Sequence, residues 1–154
     1  MNGLKLVPVV AGALALTHRP KHKELSRLSA LGVTHVVTLL AEREGAKQIG
    51  ESVQRAGLTW IWCPLDNGQP PDTAATTALR PVLAELATLV ASGAKIVIHC
   101  SAGIHRTGMV GYAVLRLLGF DPVAAQAKLF ELRLVTGEGV GLHRLAWGDS
   151  MVQP

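Results

Sequence analysis

Lys95-Ile96-Val97-Ile98-His99-Cys100-Ser101-Ala102-Gly103-Ile104-His105-Arg106-Thr107-Gly108 is the stretch on which the reading of this chain turns. Its first five residues read as a short strand, with the β-branched apolar Ile96-Val97-Ile98 at its centre, the pattern of a strand covered on both faces. Beyond it Val110, Ala113, Val114, Leu117 and Leu118 recur at helical spacing, and Gly119 closes the pattern. Only a glycine-containing turn separates the two. A strand that passes through a tight turn into a helix is the building unit of a parallel-cored α/β fold, in which ligands sit at the carboxyl ends of the strands.

The same alternation continues outward on both sides. Lys23 to Leu31 carries Leu25, Leu28 and Leu31 at helical spacing, with Gly32 as a left-handed cap, and Val33 to Leu40 is a near-continuous apolar strand. Glu42 to Ala56 reads as a polar helix closed by Gly57, and Leu58-Thr59-Trp60-Ile61-Trp62 as a second central strand. That strand breaks at Pro64 into the turn-rich segment Leu65 to Asp72. Asp72 N-caps a helix running to about Ser92 and stopped by Gly93, with a kink or restart predicted at Pro81. Asp121-Pro122 opens another helix in cap-then-proline order, and Leu142 to Met151 forms the last, after the glycine-rich Thr136 to Gly141. The expected fold is α/β, a central mostly parallel sheet of about four to five strands flanked by helices in three layers, as one domain over residues 1–154.

With 154 residues, 49% hydrophobic and 17% charged, the chain can bury a single core without disulfides or a structural metal. A net charge of +4 gives a mild attraction for anions, which suits phosphorylated proteins, nucleic acid or an acidic membrane about equally. No nucleic-acid module is recognisable, and the densest basic stretch, Arg19, Lys21, His22 and Lys23, reads as a solvated loop and helix start. Two cysteines, Cys63 and Cys100, are too few for a disulfide framework and favour a reducing compartment, the cytoplasm. The run Leu6 to Leu16 after Lys5, with Ala13-Leu14-Ala15, imitates an export signal, but it contains Pro8 and Gly12 and reads more strongly as the first buried strands, with export the minor alternative. No stretch approaches the roughly 20 apolar residues of a spanning helix. No cluster has zinc spacing and no Gly-Lys-Ser/Thr ending marks a nucleotide loop, so no metal or cofactor is called for.

The turn after His99 lies where unpaired backbone N–H groups converge and the helix dipole favours an anion. Gly103 permits the positive φ that turns successive N–H groups inward. Arg106 adds a planar fork matching two phosphate oxygens. Ser101, Ala102, Gly103, Ile104, His105 and Arg106 together form the expected phosphate cradle. The same field favours the thiolate of Cys100, the nucleophilic form.

His-Cys-x-x-Gly-x-x-Arg-Thr-Gly, complete from His99 to Gly108, resembles the signature of the cysteine-dependent protein phosphatases. Leu31 to Leu40 and Cys63-Pro64-Leu65-Asp66 are similar to the helix-to-strand passage and general-acid loop of compact dual-specificity members. The resemblance implies hydrolysis of phosphomonoesters through a phosphocysteine on Cys100, with Arg106 binding phosphate, Asp66 as general acid and base, and Thr107 steadying the departing thiolate. His99 is expected to be buried and to hold the loop. Asp72 is a competing acid or only a cap, and His105 faces the substrate side. The loop lacks the lysines of an inositol-phosphate reader and the chain is short for a deep phosphotyrosine insert. The expected partner is therefore a phosphorylated protein carrying phosphotyrosine, with phosphoserine and phosphothreonine accepted. The rivals are a phosphoinositide or RNA 5′-phosphatase with the same chemistry, and a phosphoprotein-binding module without turnover. The segment Thr136 to Trp147 lacks the Gln or Asn with which some relatives orient water. Cys63, at the end of a strand expected to neighbour that of Cys100, is a candidate redox partner.

Overall fold

The apolar run after Lys5 folds as a hairpin. In the computed structural model, which describes residues 4–153, β1 (Val7–Val9) pairs antiparallel with β2 (Gly12–Thr17). The remaining strands are β3 (His35–Thr38), β4 (Thr59–Trp62) and β5 (Lys95–His99), and all run parallel to β2. The sheet order is β1-β2-β5-β3-β4. The strand path moves outward from β2 to β3 to β4 and then reverses to β5. Because crossovers are right-handed, that reversal sends the helices to opposite faces. Helices α1 (His22–Leu25) and α2 (Ala46–Arg55) lie on one face, and α3 (Thr73–Ala91), α4 (His105–Leu117), α5 (Pro122–Leu132), α6 (Leu134–Gly139) and α7 (Leu142–Ser150) on the other.

Buried apolar side chains from both faces join into one cluster. Helix α4 runs through it, with every residue from Arg106 to Leu115 buried. It is anchored to α7 by Asp149, which accepts hydrogen bonds from Tyr112 Oη at 2.6 Å and Arg116 Nε at 2.9 Å. Parallel pairing brings the carboxyl ends of β2, β5, β3 and β4 to one edge, so the loops after Thr17, His99, Thr38 and Trp62 face one another there.

Several local expectations are corrected. The helix expected from Lys23 to Leu31 is only a turn of α1 followed by a 3-10 turn at Ser29–Leu31, and Leu31 points to solvent. The polar helix expected from Glu42 splits into a 3-10 turn (Glu42–Glu44) and α2, because Gly45 takes φ +87° between them. The strand expected over Val33 to Leu40 is regular only from His35 to Thr38. The helix does not restart at Pro81, since α3 is continuous through it; the proline and Thr77, whose carbonyl loses its donor, both face water. That helix is 19 residues long with mean hydropathy 1.3, enough by length and composition to cross a membrane, contrary to the sequence expectation. Here its Leu79, Leu83, Leu86, Ala87 and Val90 are buried and it packs on β2 and α4. The glycine-rich segment before the last helix is itself helical, as α6.

The strand expected to be a second central one, β4, is at the sheet edge. Its half-buried Trp60 and Trp62 stack with ring centroids 5.6 Å apart and cover the edge. This placement also removes the redox pairing of Cys63 with Cys100. β3 lies between their strands, and two strand spacings are about 10 Å, whereas a disulfide needs Cα atoms within about 7 Å. Both cysteines are free and buried, and burial pushes the Cys63 thiol up to about 11.

Candidate active site

The loop from Cys100 to Arg106 is held from outside by its carbonyls. Ser101 O accepts from the Arg19 backbone N–H at 2.9 Å. Ala102 O and Gly103 O accept from Arg133 Nη1 at 3.1 and 3.0 Å, and Gly103 O also from Thr136 Oγ1 at 2.5 Å. In a trans peptide the N–H points opposite to the C=O. Pulling these carbonyls outward therefore turns the N–H groups of Ala102, Gly103 and Ile104 into the loop. None of the backbone N–H groups from Ser101 to Thr107 is taken by an acceptor among the described residues. The φ of Gly103 is +74°, and a Cβ there would stand 2.3 Å from Thr17 O, so glycine is required twice over.

Cys100 lies buried at the floor of this ring, and its Sγ receives the Thr107 hydroxyl at 3.0 Å. His99 is fully buried. Its Nδ1 is 3.2 Å from Cys100 O, which can only accept, so Nδ1 carries the proton and Nε2 accepts from Thr38 Oγ1 at 2.7 Å. Thr38 Oγ1 in turn receives the Trp60 indole N–H at 2.8 Å. A chain of hydrogen bonds thus runs from the sheet edge to the carbonyl of Cys100. Burial is the main reason that His99 is held neutral, with its pKa depressed to about 4.

Arg106 is buried and oriented by Glu44, which sequence reasoning assigned only to a polar helix. Its Nη1 and Nη2 donate to the two carboxylate oxygens at 2.8 and 3.0 Å, and Nη1 also donates to Leu65 O at 3.0 Å. That leaves Nε–H and the second Nη2–H, the side-on fork of the guanidinium, for two oxygens of an anion. Hydrogen bonding from Arg106 is the chief cause that lowers the Glu44 pKa to about 2, so the pair stays charged.

Asp66 stands on the same rim, one residue beyond the carbonyl on Arg106, but its carboxylate is not turned to the loop. The side chain is 84% exposed; its Oδ1 lies 3.3 Å from Arg43 Nη1, and its backbone O accepts from Arg43 Nη2 at 2.6 Å. Two residues on, Gly68 O receives Arg144 Nε of α7, whose Nη1 donates to Val140 O at 2.7 Å. His105 is exposed at the start of α4 and lies against Gly68. Asp72 caps α3 by accepting from Ala75 N at 2.9 Å, so its cap reading holds. Ser101 and Ala102 are exposed and Ile104 is half-buried.

The structure thus gathers Cys100, Arg106, Thr107 and His99 around one anion-sized ring and places Asp66 beside it. Glu44, Arg133, Thr136 and Arg144 were not singled out from sequence. Each is a lone polar residue far along the chain from the loop, with only its partner in the fold to mark it. Among the described residues no group of three or more His, Cys, Asp or Glu converges as a metal site.

A family model described as "Swiss Army Knife protein, DSP-PTPase phosphatase domain" matches residues 5–150. The chain belongs to this family of cysteine-dependent phosphatases. Its fold is similar to that of Tk-PTP in its active form (TM-score 0.75, 21% identity, covering 98% of this chain and 97% of that one). It is also similar to kinase-associated phosphatase with its catalytic cysteine replaced by serine (TM-score 0.74, 19% identity, 98% and 97% covered). A third similar structure is TpbA of P. aeruginosa in complex with phosphotyrosine (TM-score 0.58, 16% identity, 99% of each chain covered). No curated protein matches by sequence.

Proposed function

We propose that this phosphatase hydrolyses phosphotyrosine in proteins, and phosphoserine or phosphothreonine with it, through a phosphocysteine on Cys100. The observation that carries the reading is the ring of untaken N–H groups from Ser101 to Thr107 around a buried Cys100, with the free fork of Arg106 beside it. These donors are fixed before an anion arrives, so charge developing on the transferring phosphoryl oxygens meets oriented dipoles.

Cys100 Sγ attacks phosphorus as the P–O bond to the leaving group breaks, and Asp66 gives that oxygen its proton. Asp66, now a carboxylate, takes a proton from water, whose oxygen attacks phosphorus. The S–P bond breaks, and the Thr107 hydroxyl, already directed at Sγ, stabilises the thiolate. For Asp66 to act, its side chain must leave Arg43. Because Asp66 is exposed and that pair is a surface ion pair, the exchange costs little. The proposed nucleophile is a free thiol, which supports action in a reducing compartment, the cytoplasm.

The rival with the most support is a phosphoinositide or RNA 5′ phosphate, favoured only by the +4 charge and the basic stretch Arg19 to Lys23. The test is turnover of an aryl phosphate with chelator present by wild type, Cys100→Ser and Asp66→Asn. Cys100→Ser is expected to be inactive, and Asp66→Asn to lose about 10²-fold or more. A wild type that binds phosphopeptide without turning over the aryl phosphate would instead favour a binding module.

A further inference from the structure

The arginines that border the nucleophile loop differ in one respect. Arg106 is engaged by Glu44 and Leu65, Arg43 by Asp66, Arg133 by Ala102 and Gly103, and Arg144 by Gly68 and Val140. Arg19 has no side-chain acceptor and no acidic partner among the described residues. Its backbone is nevertheless held at the rim. Its backbone N–H is bonded to Ser101 O at 2.9 Å, and Nη1 lies 3.3 Å from where a Cβ on Gly45 would stand. Gly45 directly follows Glu44, the carboxylate that orients Arg106. The guanidinium therefore spans the rim between Ser101 and the support of Arg106. It is exposed, and its field reaches His99 beneath the loop.

Arg106 and Arg43 are paired with carboxylates, and Arg133 and Arg144 are held by backbone carbonyls, so Arg19 is the bordering arginine whose guanidinium is left to meet an anion from outside, and its planar fork suits phosphate or carboxylate. We propose that Arg19 binds a second anionic group of the substrate, carried on the same peptide next to the phosphorylated residue. The preferred substrates are then phosphopeptides that are acidic or multiply phosphorylated around the scissile ester. This rests on the phosphoprotein reading above and adds to it a sequence preference. The lysine-poor variable positions of the loop fit this division of labour: the cradle holds one phosphate, and the second charge is met outside it, from the β2 end.

The test compares two synthetic phosphotyrosine peptides, one flanked by glutamates and one by glutamines, with wild type, Arg19→Gln and Arg19→Lys; an aryl phosphate is the reference substrate. The readout is the ratio of kcat/KM for the two peptides within each variant, which cancels general damage to the enzyme. Wild type is expected to favour the acidic peptide by about tenfold at low salt, as for a charge-assisted hydrogen bond, mainly through KM, with the ratio shrinking as salt rises. Arg19→Gln should bring the ratio close to one and Arg19→Lys should keep part of it. Equal rates for both peptides in wild type, or a preference that survives Arg19→Gln, would overturn the inference. A 5′-phosphorylated oligonucleotide turned over faster than either peptide would overturn its substrate class. Failure of wild type on the aryl phosphate would strike the underlying phosphatase reading instead.

Discussion

The loop that carries Cys100 and the loop that carries Asp66 face each other across one sheet edge, yet they are built differently. The first is tied down along its length: carbonyls outward to Arg19, Arg133 and Thr136, the thiol to Thr107, and the His99 ring to Thr38 and through it to Trp60. The second hangs from the carbonyls of Leu65 and Gly68, and its Asp66 side chain is paired with one exposed arginine. Beneath it, against α3, lies a cavity of about 550 Å³ lined by Trp62, Pro64, Leu65 and Pro70. The difference fits the roles proposed for the two loops. Charge stabilisation depends on dipoles that do not reorganise, whereas a proton donor that serves first an ester oxygen and then water must be free to turn.

The largest test of this contrast is Gly103→Ala. The added Cβ meets a backbone carbonyl at 2.3 Å in a conformation that disfavours it, so the ring cannot close. Turnover of aryl phosphate is expected to fall about 10²- to 10³-fold, the scale of losing oxyanion donors, with circular dichroism unchanged. Near-wild-type rates would show that the loop is less constrained than its bonds imply. Next comes Glu44→Ala, which frees the end-on fork of Arg106; a loss of about 10²-fold is expected from misplacement alone, and Glu44→Gln should recover part of it. On the other loop, Arg144→Met releases Gly68 and should lower kcat only a few-fold. Its effect should be larger for esters with poor leaving groups, which need the acid, than for activated aryl esters. An equal loss on both would place Arg144 outside the control of Asp66.

The smallest effect is on stability and belongs to the rigid side. The folded pKa of His99, about 4, lies below its unfolded value of about 6.5, so the unfolded chain binds more protons between the two. That contribution is complete above about pH 6.5 and is lost as pH falls toward 4. Glu44, depressed to about 2, adds a loss from about pH 4.5 downward. Thermal midpoints measured in steps from pH 7 to 4 should therefore decline. A flat profile over that range would remove His99 as a buried neutral group.

The same division governs what the sequence revealed. Strand, turn and helix around Cys100 were legible because apolar periodicity, Gly103 and Arg106 lie within a few residues of one another, and local chemistry dictates local structure there. The caps at Asp72 and Asp121 were legible for the same reason, and both side chains accept from the third residue onward. The supports were not, because Glu44, Arg133 and Thr136 act across 30 to 62 positions of sequence. Strand order was invisible too, since β4 reads as apolar whether it lies in the centre or at the edge, and only its tryptophans, suited to half-burial, hint at the latter. Two helices came out broken where Gly45 and the short polar turn after Leu25 outweighed periodicity.

The stacked tryptophans give the molecule an optical signal of its own. Trp60 reports through its indole N–H on the bond chain under Cys100, while Trp62 donates to Leu40 O at 2.8 Å and lines the cavity below Asp66. With rings 5.6 Å apart and only 16° from parallel, their electronic transitions couple. Emission and near-ultraviolet dichroism from this pair will change when either loop shifts its footing, so ligand-induced movement can be followed in the native chain without an attached dye.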